Sequence, residues 1–270
     1  MHHHNNAAGP LGHVLALIPA RGGSKSIPKK NIREIASKPL LAYSIEQALA
    51  SRLISRVIVT TDSEEIAAIA RAHGAQTPFL RPAELAGDLS LDIEFHAHAV
   101  DWLAEHEGYE ACSVVNLRPT HPTRRVSTID RAIEQFHATP EADSLRSVRR
   151  SELSPYKMWR EGDDGYLLPV APVDGVEEPY NQPRQVLPMV YWQDGYVDVT
   201  RPSVIRQQRS TTGRRILPFL IEEECVDIDY EDQIAAAERI LGGLSAPGAS
   251  RMGNPDSSQA AKTKEVRNPS

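Results

Sequence analysis

The chain of 270 residues has only two cysteines, Cys112 and Cys225, both inside apolar segments. That scarcity excludes a disulfide framework and a thiolate metal site, and it points to a reducing, cytoplasmic setting. Positive charge is also in the minority. With 30 Lys and Arg against 36 Asp and Glu, the formal charge is -6, so the broad positive field of a nucleic-acid binder is missing and any cationic function must be local. No apolar run approaches the roughly 18 residues that a membrane-spanning helix needs, so neither a membrane nor a nucleic acid is an expected partner. Aromatic side chains are few, at 6%, yet the 40% hydrophobic and 24% charged content is that of an ordinary globular chain with a real core.

Residues 1–11 open on a histidine run followed by small residues and read as an expression tag. At the other end, residues 244–270 are polar and rich in Gly, Pro and Ser, a composition expected to form a disordered tail. Between them, residues 12–243 read as one domain. The run HVLALIP (13–19) is a buried strand that feeds a loop, and a helix over 39–50 and the strand RVIVTT (56–61) complete a βαβ unit. Asp62 and Ser63 offer a cap to a short helix that Gly74 closes. A strand is expected near 76–80, a helix over 91–107, a strand over 111–117, a helix over 126–138 and a strand over 144–148. This alternation predicts an α/β fold, a doubly wound and mostly parallel sheet with its ligand crevice beyond the carboxyl ends of the strands. Residues 149–190 break the pattern with repeated prolines and read as an inserted arm. Met158, Trp159, Tyr180 and Trp192 lie in or beside it, a composition suited to an interface, so a homodimer is expected. Trp192 and Tyr196 are open to two readings, stacking on a substrate or closing a core or interface. The main fold resumes over 219–229 and ends in a helix over 230–241.

The segment IPARGGSKSIPKKN (18–31) follows the first strand directly and packs Arg21, Lys25, Lys29 and Lys30 around two glycines and two serines. Glycines allow close backbone approach to an anion, hydroxyls and N–H groups donate to it, and the cations neutralise its charge. A polyphosphate is the natural ligand, the other reading being a solvated basic turn. Neither a Walker loop nor GxGxxG is present. Further along, Asp227 and Asp229 form an Asp-x-Asp pair. In extended backbone, residues two apart project to one side, so both carboxylates can face a single Mg²⁺; a lone pair of this kind can also be a solvated turn. Arg118 and Arg184 carry planar guanidinium groups suited to a substrate carboxylate. His96 and His98 lie two apart on a helix, face different ways and cannot easily share an ion.

With these segments on view, the sequence resembles the CMP-N-acylneuraminate cytidylyltransferase family, whose members activate sialic and related nonulosonic acids. Successive blocks carry the resemblance in order: VIVTTDSEEIA (57–67), LRPAELAGD (80–88), LRPTHPTR (117–124), QPRQVLP (182–188), YWQDGYV (191–197) and CVDIDYEDQ (225–233). The resemblance implies a Rossmann-like nucleotidyltransferase fold and transfer of CMP from CTP to a sugar's anomeric hydroxyl with release of pyrophosphate. It implies that Arg21, Ser24, Lys25, Lys30 and Asn31 hold the nucleotide, and that Arg81, Asp88 and Ser90 lie where the cytosine is read. From the residues alone, those last three are equally a capped helix start with a surface arginine. Asp227 and Asp229 match the metal block, and with Arg21 and Lys25 they form the implied catalytic set. Arg118, Arg184, Gln185 and Asp194 are implied on the sugar side. Arg118 replaces a glutamine common in sialate-specific members, Asp194 replaces an asparagine, and His121 replaces a small residue. The phosphate grip by itself also suits a nucleotidyltransferase for another sugar or base, or a non-catalytic nucleotide-binding protein.

Overall fold

The computed structural model describes residues 8–245; most of the expected tag and tail, 1–7 and 246–270, lie outside the described residues. β1 (Val14–Pro19) is buried because its alternate residues enter two cores, Val14, Ala16 and Ile18 on one side and Leu15 and Leu17 on the other. A short hairpin of β2 (Glu34–Ile35) and β3 (Lys38–Pro39) leads into α1 (Leu40–Ala50). β4 (Arg56–Thr60) then runs parallel to β1. Ser63 Oγ accepts from the amide of Ile66 and starts α2 (Glu64–Ala72), as the capping signal predicts.

α3 (Asp92–Glu107) ends at Gly108 in the left-handed region. β5 (Ser113–Asn116), α4 (Val126–His137) and β6 (Ser144–Arg150) follow. The arm carries the hairpin of β7 (Trp159–Glu161) and β8 (Leu167–Pro169). The main fold closes with β9 (Tyr191–Thr200), α5 (Pro202–Gln208), β10 (Ile216–Leu220) and α6 (Asp232–Ser245).

Six strands form one sheet in the order β10-β6-β9-β5-β1-β4. β9 is antiparallel to both neighbours, and the remaining pairs are parallel. α1, α2 and α4 cover one face through Leu41, Ile45, Ile66, Ile133 and Phe136; α3 and α5 cover the other through Phe95, Leu103 and Ile205. The expected doubly wound, mostly parallel sheet is therefore present. From β1 the chain turns one way to β4, whereas β5 lies on β1's other side. That reversal opens a crevice beyond the carboxyl ends of β1 and β5, and Arg21 and Arg118 stand just past them.

Two details differ from expectation, and a third decides between open readings. No strand forms at 76–80: Gln76 makes one parallel bridge to Ile58, and Pro78 then removes a donor that a ladder would need. Residues set aside as tag take part in the fold, since Gly9 and Gly12 exchange two backbone hydrogen bonds and Leu11 packs on the larger core. Finally, Tyr196 is fully buried and closes the core, whereas Trp192 is half-exposed. Among the described residues no helix is long and apolar enough to cross a membrane.

Candidate active site

The crevice is a cavity of about 480 Å³. Its first wall is the loop after β1. Gly22 approaches α2 so closely that an added Cβ would stand 3.3 Å from the Cβ of Ser63, which explains a glycine there, and its amide donates to Asp62 Oδ1 at 2.8 Å. Asn31 Nδ2 donates to the carbonyl of Arg21 at 2.9 Å and fixes the loop's span. Arg21 donates to the carbonyl of Gly87 at 2.8 Å and faces Asp88 at 3.3 Å; Lys25 pairs with the same carboxylate at 2.7 Å. The bond from Lys25 holds the Asp88 carboxyl below its usual range. A carboxylate thus sits on two of the cations expected to meet phosphate.

The second wall is the segment before α3. Arg81 is buried, with Nε donating to Thr60 Oγ1 at 3.1 Å and its guanidinium 4.9 Å over the Phe95 ring. Burial lowers its pKa to about 10, so it remains charged. Ser90 Oγ donates to the carbonyl of Glu84 at 3.2 Å and lines the cavity.

The third wall joins two loops. Ile228 is buried beneath α1 and α6, so Asp227 and Asp229 on either side of it both reach the cavity, as their spacing predicts. Asp229 Oδ1 accepts from Lys30 Nζ at 2.9 Å, which also donates to the carbonyl of Ile228 at 3.1 Å. Asp227 Oδ1 is buried and has no hydrogen-bond partner among the described residues, and the carboxyl pKa is raised, chiefly by burial and further by the neighbouring Asp229 charge. The amide of Ile228 donates to the carbonyl of Thr120 at 2.8 Å, docking this segment on the loop after β5. His121 Nδ1 lies 3.5 Å from Asp227 Oδ1. Burial, reinforced by Arg124, pushes the His121 pKa down to about 2, so this is a neutral imidazole and not an ion pair.

Arg21, Lys30, Asn31, Arg81, Asp88, Ser90, Arg118, Asp194, Asp227 and Asp229 all line the one cavity. Other expected residues lie outside this lining. Ser24 and Lys25 are absent from the lining, because Lys25 is drawn to Asp88 and is 77% exposed. Arg184 and Gln185 do not reach the cavity either, since they sit on a short exposed turn of the arm. Asp194 is present, but both of its oxygens are engaged internally, by Arg149 Nε and by the amide of Tyr196, each at 3.1 Å. It shapes the irregularity of β9 at Gly195, whose φ of 71° suits glycine. Thr120 and Gln193, inside quoted blocks but not singled out, also line the cavity, as do Asp92 and Phe95, which no motif marks. Among the described residues no group of three or more His, Cys, Asp or Glu is placed to hold a metal ion.

A family model described as cytidylyltransferase matches residues 15–220. The chain is 34% identical over 221 residues to an N-acylneuraminate cytidylyltransferase of Escherichia coli, covering 82% of this chain and 50% of that one. It is 31% identical over 236 residues to a CMP-N,N'-diacetyllegionaminic acid synthase of Legionella pneumophila, covering 84% of this chain and 96% of the relative. It therefore spans half the length of the first and nearly all of the second. A solved CMP:2-keto-3-deoxy-manno-octonic acid synthetase complexed with CTP shares the fold, with a TM-score of 0.63 at 15% identity over 86% of this chain and 100% of the other.

Proposed function

The chain belongs to the cytidylyltransferase family, and from that premise we propose that it transfers CMP from CTP to the anomeric hydroxyl of a sialic-acid-like nonulosonic acid, releasing pyrophosphate. The observation that carries this reading is that Arg21, Lys30 and Arg81 line one cavity with the Asp227 and Asp229 carboxylates at the sheet's switch point. The hydroxyl oxygen attacks the α-phosphorus as the bond to the bridging oxygen of pyrophosphate breaks. Such a transfer depends on positioning and charge neutralisation more than on covalent help from the protein. Arg21 and Lys25 neutralise the leaving pyrophosphate, Lys30 and Asn31 hold the loop around it, and Arg81 with Ser90 marks the base side.

Asp227 and Asp229 suit a hard divalent cation, Mg²⁺: both carboxylates line one cavity, and one buried oxygen has no hydrogen-bond partner among the described residues. Bound there, the ion would screen phosphate charge and polarise the phosphoryl oxygens. Lys30 braces Asp229 from the loop after β1.

Asp88 must release Arg21 and Lys25 when the triphosphate arrives. Asp88→Asn is therefore expected to tighten CTP binding a few-fold, and less so at high salt, by calorimetric titration; weaker binding would show instead that Asp88 itself holds the nucleotide. The same titration with CTP, UTP, ATP and GTP tests the base. CTP should bind best, and equal affinity for all four would contradict the reading.

A cytoplasmic homodimer completes the proposal. Both thiols are free, which suits a reducing compartment. Met158, Trp159, Tyr166, Leu167, Leu168 and Val170 are all exposed on the arm, an apolar concentration that a second copy would cover. Leu167→Glu should turn a dimer into a monomer by light scattering, and a monomeric parent protein would contradict the assembly.

A further inference from the structure

The sequence assigns Arg118 to the acceptor's carboxylate, but the structure gives that guanidinium another partner. Arg118 Nη2 pairs with Asp92 Oδ2 at 2.5 Å, and both side chains stay partly open to the cavity, 30% and 38% exposed. The arginine stem lies against Gly195, where an added Cβ would be 3.4 Å from Arg118 Cδ and Nε. Asp198 and Asp227 add further negative charge around it. A second carboxylate approaching Arg118 would have to share or displace Asp92 against that repulsion.

Asp92 is also free of the usual duty of an acid at a helix start. The amide of Leu91, the cap residue of α3, is satisfied by Glu94 Oε2 at 2.9 Å. The Asp92 carboxylate is thus available to the cavity, with one oxygen on Arg118 and the other taking no hydrogen bond among the described residues.

Resting on the proposed transfer to a nonulosonic acid, we propose that Asp92 and Arg118 act as one ion-paired unit that reads a neutral substituent of the acceptor. The unit presents an accepting carboxylate oxygen beside donating guanidinium N–H groups. Its complement is a group whose donor and acceptor sit on separate atoms, such as the N–H and C=O of an acylamino group, rather than an anion or a single hydroxyl. Asp92 is then a specificity-determining residue, and Arg118 serves selection and not carboxylate capture.

The test is steady-state kinetics with paired acids that carry either an acylamino group or a hydroxyl at the same carbon. Asp92→Asn, Arg118→Gln and the double variant are compared with the parent enzyme, with CTP affinity measured separately. The proposal expects Asp92→Asn to raise KM for the preferred acylamino acid about tenfold, the effect of one charge-assisted hydrogen bond. CTP affinity should stay within about twofold, and the preference between paired acids should shrink. The double variant should lose little more than either single one, since the pair acts as a unit. An unchanged KM, or an equal rise for both acids of every pair, overturns the proposal, as does a loss confined to CTP affinity. If the parent enzyme turns over none of the acids, the reading of the acceptor falls first and this inference with it.

Discussion

Asp229→Asn is expected to lower pyrophosphate release by at least about a hundredfold while leaving the fold intact. The side chain is 55% exposed and its ion pair with Lys30 lies at the cavity wall, so the stability lost with it is small. Its amide keeps its bond to Gln233 Oε1. Asp227→Asn should lose activity to a similar degree, with Tm unchanged or raised. The native Asp227 carboxylate is desolvated and stands near a like charge, so neutralising it relieves a cost of the folded state. Activity and stability then move independently, as expected where a site holds groups the fold alone would not choose. Thermal scans and initial rates on both variants check this. Near-parental rates in either one would remove that aspartate from the metal site.

Arg124→Met is expected to destabilise the protein by about 3–5 kcal/mol in urea unfolding. The guanidinium is buried and donates to the carbonyls of Tyr196, Arg118 and His121, to Ser44 Oγ and to Gln47 Oε1. Burial lowers its pKa to about 10, which still leaves it charged. Methionine fills much of the volume but leaves several buried acceptors unsatisfied, each costing roughly 1–3 kcal/mol before relaxation. Because these acceptors form one network, their costs do not simply add. The loop they hold also places Arg118, Thr120 and His121, so activity should fall with stability. A loss under about 1 kcal/mol would show that the network is dispensable.

Much of this site was legible in the sequence because local chemistry announced it. Glycines and cations directly after a buried strand predicted the first wall, and period two placed Asp227 and Asp229 on one side. What escaped depends on distance along the chain. Asp92 at a helix start reads as an ordinary favourable acid near the helix dipole, and its partner Arg118 lies 26 residues away. Arg124 closed a motif, but its partners range from Ser44 to Tyr196, a convergence that only the folded sheet produces. The strand expected at 76–80 failed for a local reason, Pro78. Arg184 and Gln185 matched a motif whose sequence says what it resembles but not where the arm carries it.

The most direct test of the account is pyrophosphate release from CTP and Mg²⁺ with a panel of acceptors: N-acetylneuraminic acid, its deaminated form, and legionaminic and pseudaminic acids. Release is expected with at least one acid, and none when the metal is chelated. CTP binding without release on any acid would contradict the proposed acceptor, and failure to bind CTP would contradict the reading of the cavity itself.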